Sequence, residues 1–335
     1  MQLIQVVHFQ RKQRPTGNHS IESYFEAIRN LQPIDLCIIK KEVSFFSNGL
    51  FKRIIIVIEA FFYQKQINHI TGDIHFANLL FNKKKSILTI HDCGALKDKT
   101  GLKFNILKWF WFTLPAKKAA YITVNSEATK KDLLQYISYP KENIKVIYIF
   151  VPEIHQPNPK VFNKNKPTIL QLGTAPNKNI AKTAAALKGI HCSYIIVGKL
   201  DEATKNVLVE NNIEYKNIEE SLSDAAIADL YHQCDIVALV STLEGFGMPI
   251  IEANVTGRVV ITSNTSSMPE IAADAAVLVN PFDLNNIRKG FLKVIEDDDY
   301  RNTLIENGYR NAKRFDKTTI AKKYFDLYRY AASDL

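Results

Sequence analysis

At residues 241–252 the chain reads Ser241-Thr-Leu-Glu-Gly-Phe-Gly-Met-Pro-Ile-Ile-Glu252. Two carboxylates stand in this stretch, Glu244 and Glu252, with seven residues between them. The preceding run, 235–240, is short, apolar and rich in β-branched residues, which is typical of a buried strand. Helices tolerate proline in their first turn, so Pro249 predicts a helix that begins one residue earlier. The pattern is therefore a strand, a glycine-bearing loop and a helix.

This geometry aims backbone N–H groups and the positive end of a helix dipole at whatever occupies the loop. Glu244, on the loop, can accept hydrogen bonds from a polyol. Glu252, one or two helical turns further on, can reach another part of the same ligand. An ordinary crossover with solvated carboxylates fits the same pattern, so the stretch alone leaves both interpretations open.

The length of 335 residues suits two domains of about 150 residues each. Three prolines within residues 151–159 mark a boundary between two series of alternating strand and helix signals, which predict an α/β fold with parallel sheets. We expect strands at 3–9, 34–39, 67–70, 86–90, 120–124, 144–147, 168–172, 193–197, 235–240, 258–262 and 275–279. We expect helices at 20–29, 50–66, 104–118, 126–137, 284–296, 300–314 and 318–330, with further helices between the strands of the second half.

The charge is unevenly placed. Residues 1–150 carry 22 Lys and Arg against 11 Asp and Glu, whereas the remainder carries 21 against 23. This favours a polyanionic partner for the first half, such as an anionic lipid surface, a diphosphate-bearing substrate or nucleic acid, although solubility alone explains it equally well. The most apolar segment, 54–58, is far shorter than the ~20 residues of a membrane span. With no signal-peptide pattern and four scattered cysteines, we expect a cytoplasmic protein.

Two further loops can carry chemistry. After the strand at 168–172, Gly173 lets the backbone approach a ligand and Lys178 places a positive charge near a helix start, which suits a phosphate. His91 and Asp92 directly follow another strand and can hydrogen-bond a sugar hydroxyl or a phosphate oxygen. A structural turn and a structural histidine remain open alternatives. No His, Asp or Cys arrangement has metal-ligand spacing, and the acidic run 296–299 is interpreted as a solvated helix junction.

Together these segments resemble a retaining glycosyltransferase of the GT-B type. The resemblance is to the family-four group, also called group 1, which includes bacterial mannosyl- and glucosyltransferases. The segment from Glu244 to Glu252 fits its E-x7-E motif, with the GFG and P-x-x-E-A context. Gly173-Thr174 followed by Pro176-Asn-Lys-Asn179 resembles its phosphate loop. The likeness covers nearly all of residues 1–330.

The resemblance implies two Rossmann-like domains whose parallel sheets face a central cleft. Residues 1–152 would form the acceptor-side domain and residues 160–314 the nucleotide-sugar domain. A C-terminal helix, within 315–335, would return to pack on the first domain.

The resemblance also implies roles for individual residues. Glu244 would contact the transferred sugar, aided by the backbone of Gly245, Phe246 and Gly247, and Glu252 would hold the ribose. Gly173, Thr174 and Lys178 would hold the diphosphate, and His91 would lie near the sugar as a second catalytic residue. The acceptor-side residues would be Gly17, Asn18, His19 and Asp92. One departure from the family is Asn177, where many relatives have arginine.

The implied activity is transfer of a hexose from a GDP- or UDP-sugar to a hydroxyl of a glycan or a polyprenyl-diphosphate-linked acceptor, in bacterial surface-polysaccharide synthesis. No cofactor, metal or nucleic acid is expected. Lysines at 83–85 and 117–118 and the aromatic run 109–112 suit peripheral contact with the anionic inner face of the plasma membrane. Core packing is the alternative for the aromatic run. Other candidate functions are a same-fold epimerase or phosphorylase, or a nucleotide-sugar-binding protein without turnover.

Overall fold

The structure, a computed structural model, describes residues 3–13, 20–97, 99–333 and 335. The chain divides into two compact units, Met1–Phe150 with Lys317–Leu335, and Val151–Asp316. Each unit contains one six-stranded sheet, and every strand pair in both sheets is parallel. The predicted α/β class with two parallel sheets is confirmed. Among the helices of the described ranges, none is long and apolar enough to cross a membrane.

The first unit has the strand order β2-β1-β3-β4-β5-β6. Its strands are β1 (Ile4–Gln10), β2 (Leu36–Glu42), β3 (Ile67–Ile70), β4 (Ser86–Ile90), β5 (Tyr121–Val124) and β6 (Ile144–Val146). The helices that connect them are α1 (Ser20–Asn30), α2 (Leu50–Phe62), α3 (Gly101–Lys108), α4 (Leu114–Lys117) and α5 (Glu127–Tyr136).

The second unit has the order β12-β11-β10-β7-β8-β9. Its strands are β7 (Thr168–Leu172), β8 (Ser193–Val197), β9 (Tyr215–Ile218), β10 (Ile236–Leu239), β11 (Val259–Ser263) and β12 (Val277–Val279). Its helices are α6 (Ile180–Leu187), α7 (Glu202–Glu210), α8 (Asp224–Gln233), α9 (Met248–Thr256), α10 (Met268–Ala272), α11 (Leu284–Glu296) and α12 (Asp298–Ala312). The predicted helix beside Pro249 begins at Met248 as expected. Strand β9 was not predicted, because this edge strand carries the polar residues Lys216 and Asn217 and lacks an apolar run.

The predicted single helix over 104–118 is wrong in detail. Helix α3 begins at Gly101, and a π-helical segment, Trp109–Thr113, separates it from α4. Pro115 has no N–H and therefore cannot donate to the carbonyl of Trp111 four residues earlier. The buried His75 supplies the missing donor, with its Nδ1 2.9 Å from the Trp111 oxygen. Burial lowers the pKa of His75. This histidine thus stabilises an irregular helix.

The last helix, α13 (Lys317–Ser333), packs on β1 and β3 of the first sheet. A buried chain of polar side chains holds it there. The Tyr328 hydroxyl lies 2.8 Å from His8 Nε2 and 2.8 Å from His69 Nδ1. His69 Nε2 continues the chain to Thr89 Oγ1 at 2.7 Å. Burial lowers the pKa of His69 to about 3, and that of His8 also falls well below its usual value, so both rings are neutral and each bond needs a matched donor and acceptor.

Replacing Tyr328 with phenylalanine tests this chain of contacts. The Tyr328→Phe variant leaves both histidine nitrogens facing the ring without their partner, which costs about 1–3 kcal/mol of unfolding free energy. We expect denaturant unfolding of the first unit at a lower midpoint. A control, Tyr330→Phe, alters an exposed tyrosine of the same helix and should leave the midpoint unchanged. Equal midpoints for Tyr328→Phe and the unaltered chain would contradict the proposed role.

Candidate active site

The second sheet has its topological switch point between β7 and β10. These strands are neighbours, with Ile236 opposite Ile169, although β8 and β9 lie between them in the chain. The chain leaves β7 toward β8 on one side and leaves β10 toward β11 on the other. Loops at the carboxyl ends of two such strands diverge and leave a crevice, which is where open α/β sheets bind ligands. Both loops singled out from the sequence begin there.

The loop after β7 brings Lys178 over the backbone of Gly173. Gly173 has a φ of +84°, and a Cβ at this position would lie 3.1 Å from Lys178 Cε, so a glycine is needed for this approach. A short turn, Pro176–Lys178, leads to Asn179 in the left-handed conformation and then into α6. Thr174 makes a similar approach to Gly198, where an added Cβ would come within 2.9 Å of its hydroxyl oxygen.

The loop after β10 places Glu244 against Lys178. The Lys178 Nζ lies 2.6 Å from Glu244 Oε1, and the Ser241 hydroxyl donates to the same oxygen at 2.6 Å. The two charged side chains are only 18% and 13% exposed, so water screens their attraction less than it screens a surface pair. Gly247, at φ +104°, ends the loop and begins α9. The crevice therefore holds an oriented, half-enclosed ion pair.

Asn177 fastens the two loops together. Its side-chain Nδ2 donates to the backbone carbonyl of Leu243 at 2.8 Å, and its backbone carbonyl accepts from the N–H of Thr242 at 2.8 Å. A neutral amide thus occupies the position where the family pattern has an arginine, and it acts as a link between the loops. The sequence motif showed the departure but could not show this contact, because the two loops are more than sixty residues apart in the chain.

A third loop, after β11, supports the backbone of Glu244. Ser266 Oγ donates to the Glu244 carbonyl at 2.6 Å and accepts from its N–H at 3.2 Å. Ser267 Oγ donates to the carbonyl of Phe246 at 2.8 Å. The sequence predicted a further helix between the strands of the second half, and α10 begins here at Met268. The sequence signal for this supporting role is that Ser266 and Ser267 are polar and follow β11, the strand that pairs with β10.

Glu252 lies in α9 and faces Tyr231 of α8. The Tyr231 hydroxyl donates to Glu252 Oε2 at 2.6 Å, and His155 Nε2 lies 3.7 Å from Oε1. Burial raises the pKa of Glu252 to about 7, with the tyrosine hydrogen bond opposing it and Asp224 adding to it. Burial lowers the pKa of His155 to about 4, so these two groups do not form an ion pair at neutral pH. Glu252 is held by neutral partners in a buried site.

The first unit holds the other sequence-predicted residues. His91 follows β4 and is half-buried, and its Nε2 lies 3.0 Å from the carbonyl oxygen of Thr71. Because that carbonyl can only accept, Nε2 of His91 carries a proton and donates it. Asp92 is exposed and accepts from the N–H of Gly94 at 2.7 Å. The acceptor-side residues Gly17, Asn18 and His19 lie outside the described residues.

Comparison with known sequences covers the part of the chain that forms this crevice. Residues 153–311, just under half of the chain, contain β7 to β12 and all three loops and match the family described as glycosyl transferases group 1. The second unit belongs to the group 1 glycosyltransferase family. Its E-x7-E motif supplies Glu244 and Glu252, and the loop after β7 supplies Lys178.

Individual relatives match different shares of this chain. An uncharacterized glycosyltransferase of Methanocaldococcus jannaschii is 26% identical over 234 residues, which are 68% of this chain and 64% of that protein. A Campylobacter jejuni N,N'-diacetylbacillosaminyl-diphospho-undecaprenol alpha-1,3-N-acetylgalactosaminyltransferase is 25% identical over 173 residues, 49% of this chain and 44% of that one. The chain thus matches less than two thirds of the length of either relative.

The fold extends over the whole chain. The crystal structure of Anabaena HepE in complex with UDP and glucose superposes with a TM-score of 0.72 and 17% identity, covering 96% of this chain and 98% of that one. At such identity the comparison establishes the fold alone. The chain has the GT-B fold.

The protonation of Glu252 can be tested directly. We expect the Glu252 carboxyl to titrate at about pH 7 when followed by carbon NMR of glutamate-labelled protein. The Tyr231 hydrogen bond stabilises the ionised form, so Tyr231→Phe should raise the pKa further. Tyr215→Phe, on the edge strand β9, is the matched control and should leave the titration unchanged. Titration of Glu252 near the ordinary glutamate pKa would show that the carboxyl is not desolvated.

Proposed function

We propose that this chain is a retaining glycosyltransferase that moves a hexose from a nucleoside-diphosphate hexose to a hydroxyl group of an acceptor. The observation that carries the proposal is the Lys178–Glu244 ion pair at the carboxyl edge of β7 and β10. A donor of this kind has a diphosphate, which needs a cation, and a polyhydroxylated ring, which needs hydrogen-bond acceptors. The crevice has a cation, Lys178, and a hydrogen-bond acceptor, Glu244, in direct contact at 2.6 Å.

Lys178 and Thr174 would hold the diphosphate, with the backbone of Gly173 allowing its close approach. Negative charge grows on the departing phosphate, and a lysine ammonium that is already positioned stabilises this charge without reorganising. Glu244 would then exchange its lysine contact for the hydroxyls of the sugar, beside the backbone of Gly245, Phe246 and Gly247. The lysine supplies the positive charge in this proposal, so the reaction would proceed without a bound metal ion.

Glu252 would hold the ribose hydroxyls. A ribose diol donates hydrogen bonds to a carboxylate, so binding of the nucleotide-sugar would favour the ionised form of Glu252. The carboxyl would then release the proton that it holds near neutral pH because burial raises its pKa. Tyr231 would keep Glu252 Oε2 oriented while Oε1 is used by the ligand. The buried position suits a carboxyl that accepts hydrogen bonds from the hydroxyl groups of a specific ligand.

The proposed transfer retains the anomeric configuration. The bond between the anomeric carbon and the β-phosphate oxygen would break, and the acceptor oxygen would bond to the same face of that carbon. The acceptor proton would pass to the departing phosphate oxygen, so that a nucleoside diphosphate leaves. His91 would lie near the sugar, with Asp92 and the Gly17, Asn18 and His19 loop on the acceptor side.

The donor and acceptor classes are proposed from the relatives. The name of the Campylobacter enzyme gives a diphospho-undecaprenol acceptor, and the HepE crystals contain UDP and glucose. These support a UDP-hexose donor and a polyprenyl-diphosphate-linked acceptor for this chain, and the resemblance adds a GDP-hexose donor and a glycan acceptor as the alternatives. Surface-polysaccharide synthesis at the cytoplasmic face of a bacterial membrane is the setting in which these two substrates meet.

Removing the cation tests the donor site. The Lys178→Met variant should lower kcat/KM by about 10²–10³-fold, the range found when one charge-stabilising donor is lost. Glu244→Ala should abolish transfer, measured as glycosylated acceptor and released nucleoside diphosphate. Lys182→Met is the matched control, because Lys182 lies in the first turn of α6 and contacts the carbonyl and the ring of the exposed Phe282. If folded Lys178→Met and Glu244→Ala variants transferred sugar at the unaltered rate, the proposed donor site would be contradicted.

The same assay separates the other candidate functions. An altered sugar nucleotide formed without acceptor would indicate an epimerase. A requirement for free phosphate would indicate a phosphorylase. Donor binding with neither product would indicate a binding protein without turnover, and each of these results would contradict glycosyl transfer.

Thermal shifts with UDP-, GDP-, ADP- and TDP-sugars identify the donor. A ligand at 100 times its Kd that binds only the folded state adds about 2.7 kcal/mol, which raises the midpoint by several degrees. We expect one base to give this shift, with Lys178→Met reducing it and EDTA leaving both the shift and the rate unchanged. Absence of a shift with all four classes would contradict a nucleotide-sugar site.

A further inference from the structure

Helix α2 turns an apolar face to solvent. Six large apolar side chains of this helix are exposed, and Phe51 and Phe62 are 75% and 77% exposed. Their positions fall within about a third of the helix circumference. The opposite side packs inward through Ile56 and Ala60, which are fully buried. The exposed residues are Leu50, Phe51, Ile54, Ile58, Phe61 and Phe62.

Helix α3 and the π-helical segment after it add a second apolar row. Leu102, Ile106 and Trp109 are all more than half exposed, while Phe104 and Leu107 pack inward. This row and α2 cover the same side of the first sheet, because Ile56, Ala60, Phe104 and Leu107 join one hydrophobic core. Their outer sides therefore face away from the sheet together. We call this surface the α2–α3 face, formed by the six α2 residues above with Leu102, Ile106 and Trp109.

Positive charge borders the α2–α3 face. Residues 101–118 contain four lysines and no acidic residue, and Lys52 and Lys103 are exposed among the apolar side chains. The single acid of α2, Glu59, is paired with Lys41 at 2.7 Å and hydrogen-bonded to Ser44. The Arg53 guanidinium lies 4.8 Å from the ring centroid of Trp111, between the two helices. Apolar and aromatic side chains thus alternate with cations that have no carboxylate partner among the described residues, Lys52 being hydrogen-bonded to Asn48 and Arg53 to the Ser47 carbonyl.

We propose that the α2–α3 face binds the surface of an anionic lipid bilayer. Aromatic and aliphatic side chains would enter the boundary between headgroups and acyl chains, and the lysines would meet anionic headgroups. A second copy of this chain is a poorer partner, because a symmetric contact would bring the same cations face to face. The charge complementarity therefore selects the lipid surface.

This inference goes beyond the proposed function and can fail separately from it. Vesicle binding is measured without any sugar nucleotide, and transfer to a soluble acceptor is measured without vesicles. Loss of vesicle binding with full transfer would implicate only the α2–α3 face. Loss of transfer with full vesicle binding would implicate only the donor site.

The tryptophans make the surface directly observable. The sequence has two, of which Trp109 is exposed on the α2–α3 face and Trp111 is partly buried beneath it. In a Trp111→Phe variant, Trp109 is the only tryptophan, so all tryptophan emission comes from it. We expect its emission to shift to the blue with vesicles of equal parts phosphatidylglycerol and phosphatidylcholine, and to be quenched when the lipids carry bromine on their acyl chains. Pure phosphatidylcholine vesicles and high salt should weaken both effects.

Matched variants test which residues bind. The double variant Phe51→Gln/Phe62→Gln should lower the partition coefficient onto anionic vesicles at least tenfold, and Lys52→Glu/Lys103→Glu should lower it and flatten its salt dependence. Ile34→Gln, a control, removes an apolar residue of the same unit that is 99% exposed but lies outside the face, and it should bind fully. Lys216→Glu is the charge control.

Three results would overturn the proposal. The first two are absence of vesicle binding by the unaltered chain and equal binding by the double phenylalanine variant. The third is a dimer in light scattering that the phenylalanine substitutions dissociate while no vesicle binding is seen, which would assign the α2–α3 face to a second copy. Circular dichroism and the unfolding midpoint confirm that each variant is folded before it is scored.

Discussion

The parallel pairing of β7 with β10 is the constraint on which the candidate active site depends. Parallel strands end at the same edge of a sheet, so the loops that follow them are brought together whatever their distance in the chain. Here the pairing places Lys178 2.6 Å from Glu244, although 66 residues separate them. The connections then leave in opposite directions, which keeps the crevice above the ion pair open.

The crevice is stiffened before any ligand arrives. Asn177 joins the loop after β7 to the loop after β10, and Ser266 and Ser267 support the second loop from the neighbouring strand. These bonds use backbone carbonyls and N–H groups, so they fix the path of the loops while the Lys178 and Glu244 side chains remain available for exchange with a ligand. Preorganisation of this kind lowers the cost of binding and of charge stabilisation.

The first unit uses the two sides of its sheet differently. On one side, Tyr328, His8 and His69 hold the returning helix through buried, neutral hydrogen bonds. On the other, α2 and α3 bury one row of apolar side chains and leave a second row exposed. An exposed apolar surface of this extent is uncommon on a monomeric soluble protein unless it has a partner.

The sequence by itself determined the class of fold and the chemistry of the central motif. Apolar runs and turn residues are local signals, and they were enough for the parallel strands and for the helix at Met248, whereas the polar edge strand β9 lacks such a run. The motif also named Glu244 and Glu252 as candidates, and the loop after β7 named Lys178, since residue type and position limit the chemistry available. Only the tertiary structure decided which groups touch: the Asn177 link, the Tyr231 contact to Glu252, and the structural use of His69 and His75. These contacts join distant parts of the chain, and a periodic pattern contains no information about which distant partner a buried polar group will find.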